Sequence, residues 1–446
     1  MSESIAQTKS RSLQKVLGVA FGVAIIVGGT IGSGILRAPG EVAAALPSTA
    51  WFMAAWILGG IYALCGALTL AELAVIIPKS GGEYQFARRA FGEYAGFVIG
   101  WTDWISICAA GASIAIAFGE LANEQVRWLA GAETGIAITV TIAFVALHLI
   151  GVRTSDRAQQ ILSVMKTVGL LVIAVICFLP LRAVSVPQVV ESVPHTLPAG
   201  LALLTTIVVA LQGIIYTCDG WNGAIYFTGE LRDPARQIPR VMASGVVTVL
   251  VVYLAINAAC LYVLGIDVLA GTKFPATAAV RAVLGGSAES VVGAVLAVSL
   301  LGAFSAGMLM ASRVPHAMAS DGLMPKAAAQ TSAGGTPTTA LVASGVCTIF
   351  FVTTGTFSTI IAIAALFYVF KYCSSFAALF MLRWREPNLD RPYRAIGYPV
   401  IPALLLLASV GFVISNFVTD RTNSTLAAAI LLASYPAFRL SRHVAR

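Results

Sequence analysis

The sequence predicts an all-α membrane protein of twelve transmembrane helices, and three observations carry that reading. Of 446 residues, 58% are hydrophobic and 11% charged, with a mean hydropathy of +0.87; a soluble domain carries about 25% charged residues. Apolar stretches of 18 residues or more, the length a helix needs to cross a bilayer, recur from end to end. The basic residues alternate from loop to loop. Of 28 Lys and Arg, 20 lie in the N-terminus, the loops after even-numbered spans and the C-terminus. Arg37, Arg127, Arg182, Lys273, Arg281 and Arg421 lie in or towards the loops after odd-numbered spans, while Lys166 and Lys371 lie deep within spans. Basic loops mark the cytoplasmic side, so both termini are expected there, as an even span count requires. The alternation also explains the net charge of +8 without nucleic acid: the partner of the basic loops is the lipid bilayer with its anionic headgroups.

Residues 1–15 form a polar, basic tail. The apolar run after it (span 1, 16–46) is too long for a signal-peptide core and has no convincing cleavage site, so it is read as retained. Within it stands Gly28-Gly29-Thr30-Ile31-Gly32-Ser33-Gly34. Each interior Gly costs about 1 kcal/mol of helix propensity relative to Ala, so the helix is expected to break there. Broken backbone at membrane depth is tolerated only where protein buries it or where it lines a cavity. Spans 2 (50–77), 3 (94–122), 4 (134–151) and 5 (158–181) follow. Between spans 2 and 3, Pro78 to Gly92 is too polar to cross and predicts a short helix at the interface. Span 6 (199–230) is interrupted at Thr217-Cys218-Asp219-Gly220-Trp221-Asn222.

Five is an odd number, so a second five-span unit would enter from the opposite side. Breaks at corresponding positions of two halves point to an inverted repeat and to a transport site. Repeat one covers about 16–181 and repeat two about 199–382, with spans 7 (239–265), 8 (289–320), 9 (337–354) and 10 (358–382). Spans 11 (398–418) and 12 (423–439) lie outside it, and 440–446 is a second cytoplasmic tail. Residues 16–439 are thus one transporter domain. The basic, Pro-rich loops Arg232 to Arg240 and Arg383 to Arg394 set topology or make gating contacts.

A break in span 1 would expose the amides of Ile31 to Ile35 at the start of a half-helix, where free N–H groups and the helix dipole hold a carboxylate. Carbonyls at the span 6 break would accept from an ammonium, so a zwitterion fits both. Helix packing through Gly28 and Gly32 is the plain alternative, and the matching break in span 6 weighs against it. Asp219 could meet a substrate cation, carry a proton, or cap the second half-helix through the amides near Trp221 and Asn222; the cap is favoured. Tyr216 serves as a lid or packs within the span, and Asn222 orients local backbone or substrate. Lys166 lies eight residues into span 5, about 12 Å from its start. From spacing alone it snorkels to the interface, with anchorage on the carbonyls of the span 1 break as the alternative. Lys371 calls for an acid such as Asp103 or Glu120, and Glu72 is equally open. His148 reads as a packed or interfacial histidine. Seven cysteines without a C-x-x-C pair, all in apolar spans, argue against metal and disulfide roles. With no clustered His/Asp/Glu set, an enzyme is not expected, and no cofactor is implied.

Several patterns resemble the amino acid–polyamine–organocation superfamily, most closely its bacterial amino acid permeases and L-type amino acid transporters. They are Gly29 to Ile35 (GTIGSGI), Ala71 to Gly82 with Ala90 to Gly92, Asp219 to Asn222 with Gly229-Glu230 and Pro239-Arg240, Arg313 with Asp321 to Pro325, and Arg391-Pro392-Tyr393 with Tyr398-Pro399. The resemblance implies the LeuT-like five-plus-five fold and alternating access. It implies a substrate carboxylate at Ser33, Gly34 and Ile35, an ammonium at carbonyls around Thr30 and Tyr216, an aromatic gate at Tyr216 and a polar site residue at Asn222. Lys166 matches a lysine standing where sodium-coupled relatives hold sodium, which implies sodium-independent transport. An Asp at 219 is common in bacterial relatives, which supports the cap, whereas Lys371 departs from a usually neutral position. Residues 123–133 lack the cysteine that joins eukaryotic L-type chains to a heavy subunit, so no disulfide-linked partner is expected. The expected function is sodium-independent transport of amino acids, chiefly neutral L-amino acids, by exchange or with protons. The alternatives are a proton-coupled amine or polyamine carrier, or a transporter-like sensor.

Overall fold

The computed structural model describes residues 13–32, 34–125, 131–179, 200–285, 288–354, 357–419 and 421–444. Among these, fifteen α-helices follow in order: α1 (Val19–Thr30), α2 (Gly34–Ala45), α3 (Thr49–Ile76), α4 (Glu83–Phe91), α5 (Glu93–Gln125), α6 (Glu133–Leu149), α7 (Val152–Phe178), α8 (Leu201–Thr217), α9 (Pro234–Ala270), α10 (Pro275–Leu284), α11 (Ala288–Ser320), α12 (Thr338–Thr354), α13 (Phe357–Arg385), α14 (Val400–Thr419) and α15 (Arg421–Val444). Six of the described helices are long and apolar enough to cross a membrane, those of α3, α5, α7, α9, α11 and α13. The expected interruptions are present. Span 1 divides into α1 and α2, and span 6 divides into α8 and a 3-10 stretch, Gly223–Glu230. The polar segment after span 2 forms the short α4, as expected.

The outer faces of the helices are as apolar as the core, and on α7 the polar residues of the spanning part turn inward, the reverse of a helix in a water-soluble bundle. On α7, Ser155, Gln159, Ser163 and Lys166 are buried at helical spacing, while Ile161, Val164, Met165, Val168, Val172 and Val175 are exposed. Only a hydrocarbon solvent makes that arrangement favourable, because polar groups must be satisfied within the protein there. The inner stripe lies against α1. Gln159 Nε2 donates to the Ala24 carbonyl at 3.2 Å and Ser163 Oγ to the same oxygen at 2.7 Å.

The ends of the elements follow local chemistry. Gly81 and Gly82 both have positive φ (118° and 68°), and Gly92 closes α4 at φ 98°. A Cβ on Gly82 would lie 2.5 Å from the Tyr226 ring, so the glycine lets the start of α4 press onto the 3-10 stretch. Asp233 caps α9 by accepting from the Arg236 amide at 3.3 Å, with Pro234 in the first turn. Ahead of α1, Leu17 pairs with Leu231 in a short parallel bridge: Leu17 N donates to Glu230 O at 3.1 Å and Arg232 N to Leu17 O at 3.3 Å.

Ion pairs tie the polar loops to the bundle. Glu72, fully buried, accepts from Arg383 at 2.9 and 2.6 Å and from the Ala395 amide at 2.6 Å, and lies 3.2 Å from Arg391. The basic loop after α13 therefore clasps the end of α3, and Glu72 is structural. Arg313 and Glu230 form a bidentate pair at 3.1 and 3.0 Å, both buried, with the guanidinium 4.7 Å from the Phe227 ring centre. Arg313→Gln leaves Glu230 charged and without its partner, which typically costs about 3–5 kcal/mol. The expected result is a sharply lower unfolding temperature in detergent, partly restored in the Arg313→Met, Glu230→Gln double variant. A single variant as stable as the parent would disprove this role.

Candidate functional site

The two breaks meet backbone to backbone. Gly220 adopts φ +104°, and a Cβ there would lie 2.6 Å from the Gly29 carbonyl carbon and 2.7 Å from the Thr30 nitrogen. Gly34, at the start of α2, faces Thr217 as closely: a Cβ would sit 3.0 Å from its hydroxyl. Glycine at these positions gives the close approach that any side chain would prevent.

Around this junction the polar groups are distributed by helix. Lys166 does not snorkel. Its ammonium is buried and donates to the carbonyls of Gly28 (2.8 Å), Ile31 (2.7 Å) and Ser299 (3.3 Å). The carbonyls freed where α1 ends thus receive hydrogen bonds from a lysine held on α7. Tyr253 of α9 points its hydroxyl at the Thr30 carbonyl (2.8 Å) and the Thr217 carbonyl (2.9 Å), the last turns of α1 and α8. One hydroxyl proton shared between two carbonyls ties both broken helices at the same level.

A cavity of about 70 Å³ opens beside the junction. Its walls include Gly29 and Gly220 from the breaks, Asp219, Asn222 and Tyr226 from span 6, and Tyr368 and Lys371 from α13. The rest of its lining comes from α5 and α11. Asp219 accepts a hydrogen bond from Tyr372, whose ring stacks on Trp221 with centroids 4.9 Å apart. The 3-10 stretch starts at Asn222 with no side-chain cap; the Asn222 amide group instead donates to Glu83.

The expected site residues therefore fall into three groups. Asp219 and Asn222 line the cavity, and Thr30 adjoins it through Gly29. Ile31 lies at the break but differs from expectation in its role. Its amide continues the α1 ladder to the Val27 carbonyl at 3.0 Å, and its own carbonyl goes to Lys166. Gly34 and Ile35 open α2, where the first amides have no partner within the helix, and the Ile35 side chain is buried. Ser33 and the Tyr216 side chain lie outside the described residues. The partner of Lys371 is Asp103 at 2.9 Å. His148 is buried, 3.0 Å from the Ser155 hydroxyl. Sequence reasoning missed Tyr253 and Glu83. A lone tyrosine in the apolar run VVYLAIN and an acid directly after two glycines were the available signals.

The model of one protein family, described as amino acid permease, matches residues 17–435. The chain belongs to the amino acid permease family. The permease is similar over nearly its whole length to curated transporters. It is 28% identical to the serine/threonine exchanger SteT of Bacillus subtilis over 437 residues, covering 97% of this chain and 98% of that protein. It is 27% identical to the mouse b(0,+)-type amino acid transporter 1 over 426 residues, 93% of this chain and 85% of the relative. It is 28% identical to the mouse large neutral amino acids transporter small subunit 2 over 441 residues, 96% and 81% of the two chains. The permease is thus a multi-pass membrane transporter and not an enzyme.

Proposed function

We propose that the permease carries amino acids, chiefly neutral L-amino acids, across the cytoplasmic membrane by alternating access and without sodium. One observation carries this reading: the Lys166 ammonium sits on the Gly28 and Ile31 carbonyls at the span 1 break. A fixed cation there supplies the charge that a bound sodium ion would otherwise bring. The amides opening α2 receive the substrate carboxylate, carbonyls near Thr30 and Tyr216 receive its ammonium, and the cavity beside Asp219 and Asn222 takes its side chain. Tyr216 serves as the gate and Ser33 completes the carboxylate site.

In this reading α1 with α2, and α8 with the 3-10 stretch, are broken spans 1 and 6 of a five-plus-five inverted repeat of LeuT-like type within twelve spans. Helices α14 and α15 are the two additional spans. The loop charges support a cytoplasmic location for both termini. Residues 123–133 contain no cysteine, which supports function without a disulfide-linked second subunit. The similarity to an exchanger supports exchange, with proton symport as the other mode.

The test is counterflow with purified permease in liposomes, over all twenty L-amino acids and common amines, with and without sodium. Uptake of at least one neutral L-amino acid at equal rates in sodium and choline buffers is expected. No counterflow of any amino acid would overturn the reading, and sodium dependence would remove the role given to Lys166. The second reading, a proton-coupled amine or polyamine carrier, draws on Asp219 at the cavity wall. Unchanged transport in Asp219→Asn argues against it. Binding without translocation would favour a sensor.

A further inference from the structure

Beside the cavity, three carboxylates surround one lysine. Lys371 Nζ lies 2.9 Å from Asp103 Oδ1 and 3.9 Å from Glu83 Oε1, and all three side chains are almost fully buried. Asp103 accepts a second bond at 2.7 Å from the Tyr226 hydroxyl, which in turn accepts from Lys371 at 3.0 Å. Asp219 is the third carboxylate and is bonded to Tyr372. Among the described residues, the ion pairs of Glu83 and Asp103 are with Lys371 alone. The neighbouring charges are matched elsewhere: Arg313 pairs with Glu230, and Arg88 with Asp321. The cluster therefore holds more carboxylate than its one ammonium can neutralise.

The excess has an address. Glu83 Oε1 accepts from Asn222, but Glu83 Oε2 is buried with no hydrogen-bond partner among the described residues. Asp103 has both oxygens satisfied and the shorter contact with Lys371. A buried, unpartnered carboxylate oxygen is costly as an anion and far less so as a neutral acid. Burial pushes the Glu83 carboxyl up from the usual carboxylate range; the Lys371 charge pulls it down and that of Asp103 pushes it further up. Glu83 also has a mechanical link to the cavity. It opens α4, outside the spanning helices, while its donor Asn222 is part of the cavity wall on span 6.

We propose that Glu83 is the proton-carrying site of the permease, taking up one proton with substrate on one side of the membrane and releasing it on the other. The step is a protonation only: a proton from water bonds to Oε2, the carboxylate becomes a neutral carboxylic acid, and release reverses it. Substrate that shifts Asn222 changes the hydrogen bonding of Glu83, and by reciprocity the proton changes substrate affinity. A zwitterionic substrate then crosses with one net positive charge. The inference rests on the proposed amino acid transport.

The experiment uses purified full-length permease in liposomes loaded with pyranine, a pH-sensitive dye, and the amino acid that gives the fastest counterflow. Adding it outside wild-type vesicles should acidify the lumen, and an inward proton gradient should drive accumulation. Glu83→Gln should lose at least tenfold of the acidification per molecule of substrate moved in counterflow. Acidification at the wild-type rate in Glu83→Gln overturns the inference, as does wild-type counterflow with no proton movement. Absence of counterflow in the wild type is instead a failure of the transport reading. Asp103→Asn gives a second measurement that decides if Glu83→Gln does not fold. Removing that like charge leaves Lys371 shared between Glu83 and Asp219 only, which lowers the proton affinity of Glu83. The pH of half-maximal uptake should fall by about one unit, and an unmoved pH profile overturns the assignment.

Discussion

Replacing Lys166 with Ala is expected to reduce transport at least tenfold while most of the protein remains folded in the membrane. The ammonium makes three charge-assisted contacts, two of them with carbonyls at the end of α1. Hydrogen bonds of this type contribute about 1.5–3 kcal/mol each, and about 1.4 kcal/mol is a tenfold change in an equilibrium. Losing even one is enough to lower tenfold the fraction of molecules with the break correctly shaped. The rest of α7 remains held to α1 through Gln159 and Ser163, which is why folding should survive. Lys166→Met retains the length of the side chain without its charge and should be equally impaired. The measurement is initial uptake divided by membrane abundance. Wild-type uptake per molecule in Lys166→Ala would reduce the lysine to a packing residue.

Gly220→Ala should abolish uptake, leaving less than a tenth of the parent rate. A left-handed residue with a Cβ costs about 1–2 kcal/mol before any contact is counted, and Gly220 stands at φ +104°. The added carbon would also lie 2.6–2.7 Å from backbone atoms of Gly29 and Thr30. Backbone cannot rotate aside as a side chain can, so the two breaks must separate and the cavity between them must change shape. Gly213→Ala is the control, in the same helix run but with nothing within 4 Å of the new methyl group. It should transport normally. Equal activity in the two variants would mean that contact between the breaks is not needed.

What the sequence disclosed and what it withheld divide along one physical line. The breaks were legible because helix propensity is local: four glycines with Thr30 and Ser33 state the fault without reference to any neighbour. The polar segment at Pro78 to Gly92 was legible as a short helix for the same reason. Lys166 was misplaced by spacing alone, since distance along a helix says nothing of which face meets α1. The stripe of Ser155, Gln159, Ser163 and Lys166 contained that information. The choice of Asp103 over Glu120 for Lys371 depends on the register between helices 268 residues apart in sequence, which no local pattern encodes. Glu83 was hidden by its own neighbourhood, because a polar segment suggests water while its burial is decided by where α4 packs. The Ile31 amide was lost to a one-residue shift in the end of α1, within the usual uncertainty of helix ends.

The small bridge between Leu17 and Leu231 limits how this molecule can move. It fastens the entry of α1 to the exit of the 3-10 stretch through two backbone hydrogen bonds, and the Tyr253 hydroxyl of α9 holds the ends of α1 and α8 together at their breaks. A slip of one residue between them, about 3.3 Å, would undo both sets of bonds and carry Gly29 away from Gly220, the residue whose lack of a side chain allows their contact. The two broken spans are therefore joined at two levels, and a motion that opens the cavity to one side or the other either keeps them together or breaks these bonds.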